Sequence, residues 1–416
     1  MSRVWSVQSA YATARVLPIL VLFALALIGS ACGPRSGPHD VETRAGSATL
    51  TVHDFGHPDS VLLWTPEQQR AGFPNYDLLF DTRSIPASST PSTLPARPTD
   101  FGNLRYEVDG RAFGLDDFIT HNHVTGLIVV QDGEVLIERY AAPNGPSVRW
   151  VSYSVAKSVV SLLVGAAIRD GYIGSVDDRV TEYLPLLEGS AYDDVRIRDV
   201  LRMSSGVAWN EDYSDPESDV SREIDFGAFD RLRFLGGKPR VAEPGERFNY
   251  STGEIFLVGS VVRAAVGNNL SSYLHQKIWE PFGMEADANW MLVEPGGPEY
   301  AGCCISATLR DYARLGLFTL ANGTLEDGGR VLPEGWIAES TSPSPANPGY
   351  GYLWWLGDDG SFGARGIFGQ MIHVDPSLDL VIAVHGAWPE PTGAAYGAHR
   401  EGFVAAVSEA VRERGG

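Results

Sequence analysis

The chain has 416 residues, a formal net charge of −20 and a hydrophobic fraction of 44%. That acidic balance argues against a nucleic-acid binder, which carries a basic footprint. The 10 tryptophans, 16 tyrosines and 17 phenylalanines argue against a disordered chain, and three cysteines are too few for a disulfide scaffold.

Arg3 and Arg15 precede an uncharged run from Val16 to Ala31, nearly all apolar between Leu17 and Ile28 and closed by Gly29, Ser30 and Ala31. A positive start, a short apolar run and a small-residue end read as a secretory signal. The run is shorter than the roughly 20 residues of a spanning helix. Cys32 follows directly, so Ile28–Cys32 resembles a bacterial lipobox, with Gly29 where a larger aliphatic is usual. Residues 1–32 are expected to be a lipoprotein-type signal. A lipid anchor at Cys32 would hold the mature chain at the cell surface or in a periplasm; a plain signal peptide or an uncleaved anchor is the alternative.

Residues 33–100 are rich in Gly, Pro, Ser and Thr and read as a tether and an extended wrapping segment. Gly126 to Tyr140 places two β-rich runs around Asp132-Gly133, which predicts a type I′ hairpin. Ser154 to Arg169 is apolar nearly all round and predicts a buried helix ending near Gly171. From about 175 to 300 short helical patterns alternate with polar loops, an inserted and mainly helical region. Ala307 to Ala321 predicts another helix, Met371–Val374 and Leu378–His385 a strand pair, and Gly402–Arg414 a last helix. Strands at both ends of 101–416 with helices between them predict an α/β (α+β) fold: one antiparallel sheet completed from both ends and flanked by helices.

Of the three lysines, Lys157, Lys238 and Lys277, only Lys157 has a serine three residues before it, in Ser154-Val155-Ala156-Lys157. Positions i and i+3 share a helix face, so both side chains meet at the start of the buried helix. Burial disfavours the ammonium and equips the amine to accept a proton. A helix N-terminus favours negative charge developing at the serine. Serine and lysine so placed form an activated nucleophile; an incidental lysine at the core edge is the bland alternative.

Several further stretches accompany this pair. They are Val151–Ser158, Gly189–Asp193, Met203–Val207, Asn210–Tyr213, Leu309–Arg314, Tyr350–Trp355 and Gly366–Gln370. On these, residues 60 to 410 resemble the serine hydrolases of the class C β-lactamase, penicillin-binding-protein and esterase group, and within it the 6-aminohexanoate-dimer hydrolases. The first motif of that group is Ser-x-x-Lys. The resemblance implies a β-lactamase/transpeptidase-like fold with an inserted helical domain, no cofactor, and a small amide or ester substrate. Its second motif, Tyr-x-Asn, falls on Tyr250-Ser251-Thr252, so Tyr250 would share the proton with Ser154 and Lys157, while Thr252 replaces the amide. Its third motif falls on Ala364-Arg365-Gly366. Gly366 would let a substrate carbonyl approach the strand edge, and the oxyanion donors would be the backbone N–H groups of Ser154 and Ile367. Ala364 stands where a cation is usual; Arg365 is expected on the opposite strand face. Tyr213 matches a loop tyrosine that contacts the leaving amide nitrogen.

Other features carry weaker expectations. His121 and His123 read as loop or strand-start residues and no metal is expected. Cys303 and Cys304 are adjacent and read as small buried packing residues, with Cys32 as their one possible cysteine partner in the mature chain. Seven carboxylates between Asn210 and Asp225 face only Arg222 in sequence; over a cleft they would favour a substrate amine, otherwise they are a solvated loop. A rival enzyme reading is a β-lactamase or D-amino-acid peptidase acting on cell-wall peptides. A rival of another class is a non-catalytic penicillin-binding-like sensor.

Overall fold

The computed structural model describes residues 55–415. The expected signal with Cys32, and the tether as far as residue 54, lie outside them. Among the described residues twelve strands occur in chain order: β1 Thr82–Ile85, β2 Tyr106–Val108, β3 Arg111–Phe113, β4 Val124–Gln131, β5 Glu134–Tyr140, β6 Trp150–Val151, β7 Ala288–Met291, β8 Ile305–Ala307, β9 Trp355–Leu356, β10 Phe362–Gly366, β11 Gln370–Asp375 and β12 Leu380–Gly386. The main sheet has the order β5-β4-β12-β11-β10-β9 and every pairing in it is antiparallel. Both chain ends therefore build it, as expected. Asp132 and Gly133, at φ 51° and 75°, make the β4–β5 turn with both central residues left-handed.

Alternate residues of the sheet enter two cores. Ile128, Val130, Val374, Val381 and Ala383 pack with the central helix Val155–Arg169 and with Leu309–Leu320. Leu127, Val129, Leu380, Ile382 and Val384 pack with Phe403, Val407 and Val411 of the C-terminal helix Ala394–Gly415. Coverage on both faces explains why β4 and β12 read as continuous apolar runs rather than alternations. The central helix has 13 buried residues out of 15, so its only cation before Arg169, Lys157, is carried into the interior.

The expectation of a single sheet is corrected. β1, β7, β8 and β6 form a second, four-stranded sheet, with Thr82 opposite Met291 and Val151 opposite Ser306. Its strands are two to four residues long, too short to show a period in sequence. Residues 55–81 are not extended either: Pro66–Gly72 is a helix with a Thr65–Gln68 capping box. Behind it Phe73 and Tyr76 are buried. The middle region is mainly helical, and its longest helix, Thr252–Val266, lies against the central helix. Among the described residues no helix is long and apolar enough to cross a membrane.

Candidate active site

β6 delivers the chain into a tight turn before the central helix. Ser152 pins that turn to β8: its N–H donates to the Ile305 carbonyl at 2.7 Å, and its Oγ accepts from the Ile305 N–H at 2.9 Å. Tyr153 then takes φ 44°, an uncommon conformation for a side chain of that size. The strained residue aims Ser154 out of the wall, so that Ser154 is half-buried between fully buried neighbours. Ser154 is the residue from which the helix Val155–Arg169 starts.

One turn on, Lys157 is 1% exposed. Its Nζ lies 2.8 Å from Ser154 Oγ, 3.0 Å from Thr252 Oγ1 and 2.7 Å from the Gly302 carbonyl. Burial pushes the ammonium down to about 8, against the opposing pull of the Glu211 and Glu223 carboxylates. The Tyr250 ring centroid is 5.1 Å from the same Nζ. The Tyr250 hydroxyl is pushed up by burial and by Glu211, with Ser154 as a smaller opposing influence. Ser251 sets this side of the site by capping Thr252–Val266, its side chain accepting from Glu254 N.

β10 closes the other side. A Cβ on Gly366 would lie 2.5 Å from the Ser152 carbonyl and 3.2 Å from Ser154 N, so only glycine allows this strand end against the nucleophile turn. Ile367 follows, and Phe368 is left-handed at φ 59°. Gly366 and Ile367 line a cleft of about 600 Å³ together with Ser154, Tyr213, Tyr250 and Arg365. A second, apolar cavity of about 60 Å³ reaches Ser154 from the side of Tyr153, Val220 and Met291. Ser154, Lys157, Tyr250, Gly366, Ile367 and Tyr213 are thus brought together around one cleft.

Sequence reasoning missed two groups. The first is Phe73, whose ring centroid is 5.3 Å from both Tyr153 and Phe368. A residue in a segment read as extended carried no signal for that contact. The second is Glu211. Its carboxylate accepts from Tyr213 Oη at 2.7 Å and Thr252 N at 2.9 Å, and also from the Thr252 hydroxyl and Trp209 Nε1. It stands in one of the stretches that carry the resemblance, but as one carboxylate of seven.

Three readings change. The acidic run is not wholly a free negative field over the cleft, because three of its seven members are engaged within the protein. Glu211 turns inward, Asp219 pairs with Lys238, and Glu223 is buried against Arg231 at 2.9 Å. Ala364 is buried in the core. Arg365, leaving the other strand face as the period dictates, still lines the cleft beside Arg400, with its guanidinium over the Trp355 ring at 5.7 Å. Cys303 and Cys304 are paired with each other, where the sequence left Cys32 as their one possible partner. His121 packs on Phe113 and His399, and His123 on Tyr396.

The chain is similar to known proteins to different degrees. The family described as Beta-lactamase matches residues 116–406. A 6-aminohexanoate-dimer hydrolase of Paenarthrobacter ureafaciens is 29% identical over 352 residues, covering 79% of this chain and 88% of that protein. Among solved structures, one named as a candidate 6-aminohexanoate-dimer hydrolase from Bacillus anthracis superposes with a TM-score of 0.75 at 18% identity, over 83% of this chain and 95% of its own. A family VIII carboxylesterase superposes with a TM-score of 0.55 at 18% identity, over 70% and 95%. These two structures share the fold.

Proposed function

The chain belongs to the Beta-lactamase family, and on that premise we propose that it is an exported serine hydrolase that cleaves a small amide or ester through an acyl-enzyme. The observation that carries this reading is the buried Lys157 amine, held 2.8 Å from Ser154 Oγ and pushed down to about 8.

In the proposed sequence the neutral Lys157 amine takes the Ser154 proton, and Ser154 Oγ attacks the substrate carbonyl carbon. The Ser154 and Ile367 N–H groups hold the resulting oxyanion. Tyr250, which lines the cleft with Ser154 and lies beside Lys157, passes a proton to the leaving nitrogen or oxygen as the tetrahedral centre collapses. Water then attacks the acyl-enzyme by the reverse proton route and frees the acid. Tyr213 and Gly366 border the substrate, and every step uses side chains and backbone amides of this chain.

The 29% identical relative supports an amide such as a short amino-acid oligomer, and the carboxylesterase-like fold supports esters. Export and lipid attachment at Cys32 rest on the sequence of residues 1–32. The test is a hydrolysis screen over short linear amides, p-nitrophenyl esters and a chromogenic cephalosporin, with fluorophosphonate labelling of Ser154. Turnover of the linear substrates with label on Ser154 is the expected result. Labelling without turnover of any substrate would indicate a sensor instead. Lipid-precursor labelling of wild type and Cys32→Ala tests the anchor separately.

A further inference from the structure

We propose that Glu211 is a positioning residue for the proton transfer, acting through the Thr252 hydroxyl to aim the Lys157 lone pair at Ser154. The inference rests on the Ser154–Lys157 reading above and extends it to a residue outside the reacting set.

Donors and acceptors around Nζ balance in only one way. A carboxylate only accepts hydrogen bonds. Glu211 is surrounded by four donors, Tyr213 Oη, Trp209 Nε1, Thr252 N and the Thr252 hydroxyl. The Thr252 hydroxyl has one proton, and that proton is committed to Glu211. Towards Lys157, 3.0 Å away, Thr252 can therefore only accept. The Gly302 carbonyl, 2.7 Å from Nζ, can only accept as well. A neutral lysine amine has two N–H bonds and one lone pair. With both N–H bonds drawn to Thr252 and Gly302, the lone pair is left facing the third neighbour, Ser154 Oγ at 2.8 Å. That is the direction in which a base must face its proton.

Without a carboxylate at 211 the Thr252 hydroxyl is free to turn round. It would then donate to the lysine lone pair and compete with Ser154 for it. Glu211→Gln imposes this state. If the new amide N–H groups face the two N–H donors, nothing can accept them. The favoured flip faces them towards the Tyr213 and Thr252 hydroxyls, and Thr252 must then send its own proton to Lys157. The charged and titratable groups around Nζ are few. Glu211 approaches through its own loop, and Glu223, held by Arg231, from the turn after it. Tyr250 presents its ring from the segment before the Thr252 helix.

The experiment compares Glu211→Gln, Thr252→Val, Thr252→Ser and the Glu211→Gln/Thr252→Val double variant of the full chain, by kcat/KM against pH on a p-nitrophenyl ester. Both Glu211→Gln and Thr252→Val are expected to lose about a hundredfold at the plateau, the lower range for a mispositioned base. The double variant should lose no more than the worse single one, since both act through one hydroxyl. Thr252→Ser restores that hydroxyl and should recover most of what Thr252→Val loses. In Glu211→Gln the acid limb should also move to lower pH, because a negative charge favouring the lysine ammonium is gone, a shift that mere loosening of the loop would not produce. Losses that multiply in the double variant, or an active Glu211→Gln with an unmoved acid limb, would overturn the proposal. Should Glu211→Gln fail to fold, the Thr252 pair decides: equal rates for Val and Ser at that position reject it. Loss of all activity on Ser154→Ala speaks to the parent reading, and these variants speak only to Glu211.

Discussion

Tyr153 and Phe368 both take left-handed backbone conformations, at φ 44° and 59°, and their rings pack on each other with centroids 5.1 Å apart. One precedes Ser154 and the other follows Ile367, so the two proposed oxyanion donors sit between a pair of strained residues that hold each other. Strain of this kind costs about 1–3 kcal/mol per residue and persists only where the surroundings enforce it. Phe73, 0% exposed, touches both rings and supplies part of that enforcement.

Phe73→Ala is accordingly expected to lower stability by about 3–5 kcal/mol, the range for truncating a buried phenylalanine. It should also lower kcat more than it raises KM, because the donors it loosens act on the transition state. Phe73→Leu, which keeps most of the volume, should fold and show the kcat defect in milder form. Thermal melts and steady-state kinetics check both, and a Phe73→Leu enzyme with unaltered kcat would separate the aromatic cluster from catalysis.

Ser154→Ala should abolish fluorophosphonate labelling and reduce turnover by several orders of magnitude, as nucleophile deletions do. Retention of more than about a tenth of the activity would place the nucleophile elsewhere.

Burial pushes the Lys157 ammonium from its ordinary 10.5 down to about 8. Only the neutral amine accepts a proton, so kcat/KM should rise with pH through an acid limb near 8. Lys157→Arg keeps the charge and cannot lose it near neutrality; it should be as inactive as Lys157→Ala. The same shift bears on folding: the unfolded lysine holds its proton up to its ordinary value, so this group's penalty is present below about 8 and is relieved as pH rises from 8 to 10.5.

Burial pushes the His385 imidazole down to about 3, and it is 0% exposed. The unfolded ring binds a proton below its ordinary 6.5, so stability is lost as pH falls from there towards 3. At pH 5 the expected loss from this ring is about 2 kcal/mol. Denaturant melts at pH 7 and pH 5 measure it, and His385→Gln, which cannot titrate, should show a smaller difference between the two.

Arg365 and Arg400 line the cleft with one carboxylate, Glu401, which pairs with both, and Asp219 and Glu223 of the acidic run are paired. A substrate bearing a terminal ammonium should therefore gain no rate over its acetylated twin. A matched pair of short esters at two salt concentrations tests this; a salt-sensitive preference for the amine would restore the acidic loop as a recognition element.

Local chemistry made much of the molecule legible in advance. Asp132-Gly133 specifies its turn through backbone conformations that few other residues tolerate, and the apolar run after Ser154 can only be a buried helix. A lysine in the first turn of such a helix has no ordinary structural use, so the serine–lysine pair was visible from spacing alone. The second sheet was not, because β1 and β7 are four residues each and acquire a register only from one another. Nor were Phe73 and Glu211. Phe73 matters through Tyr153 and Phe368, and Glu211 through Thr252, partners far away in sequence. Which of seven carboxylates turns inward, and which aromatic ring closes the nucleophile turn, was decided by packing between segments that no local pattern links. The proton's direction around Lys157 depends on acceptors from three separate parts of the chain, and only their meeting in the folded state determines it.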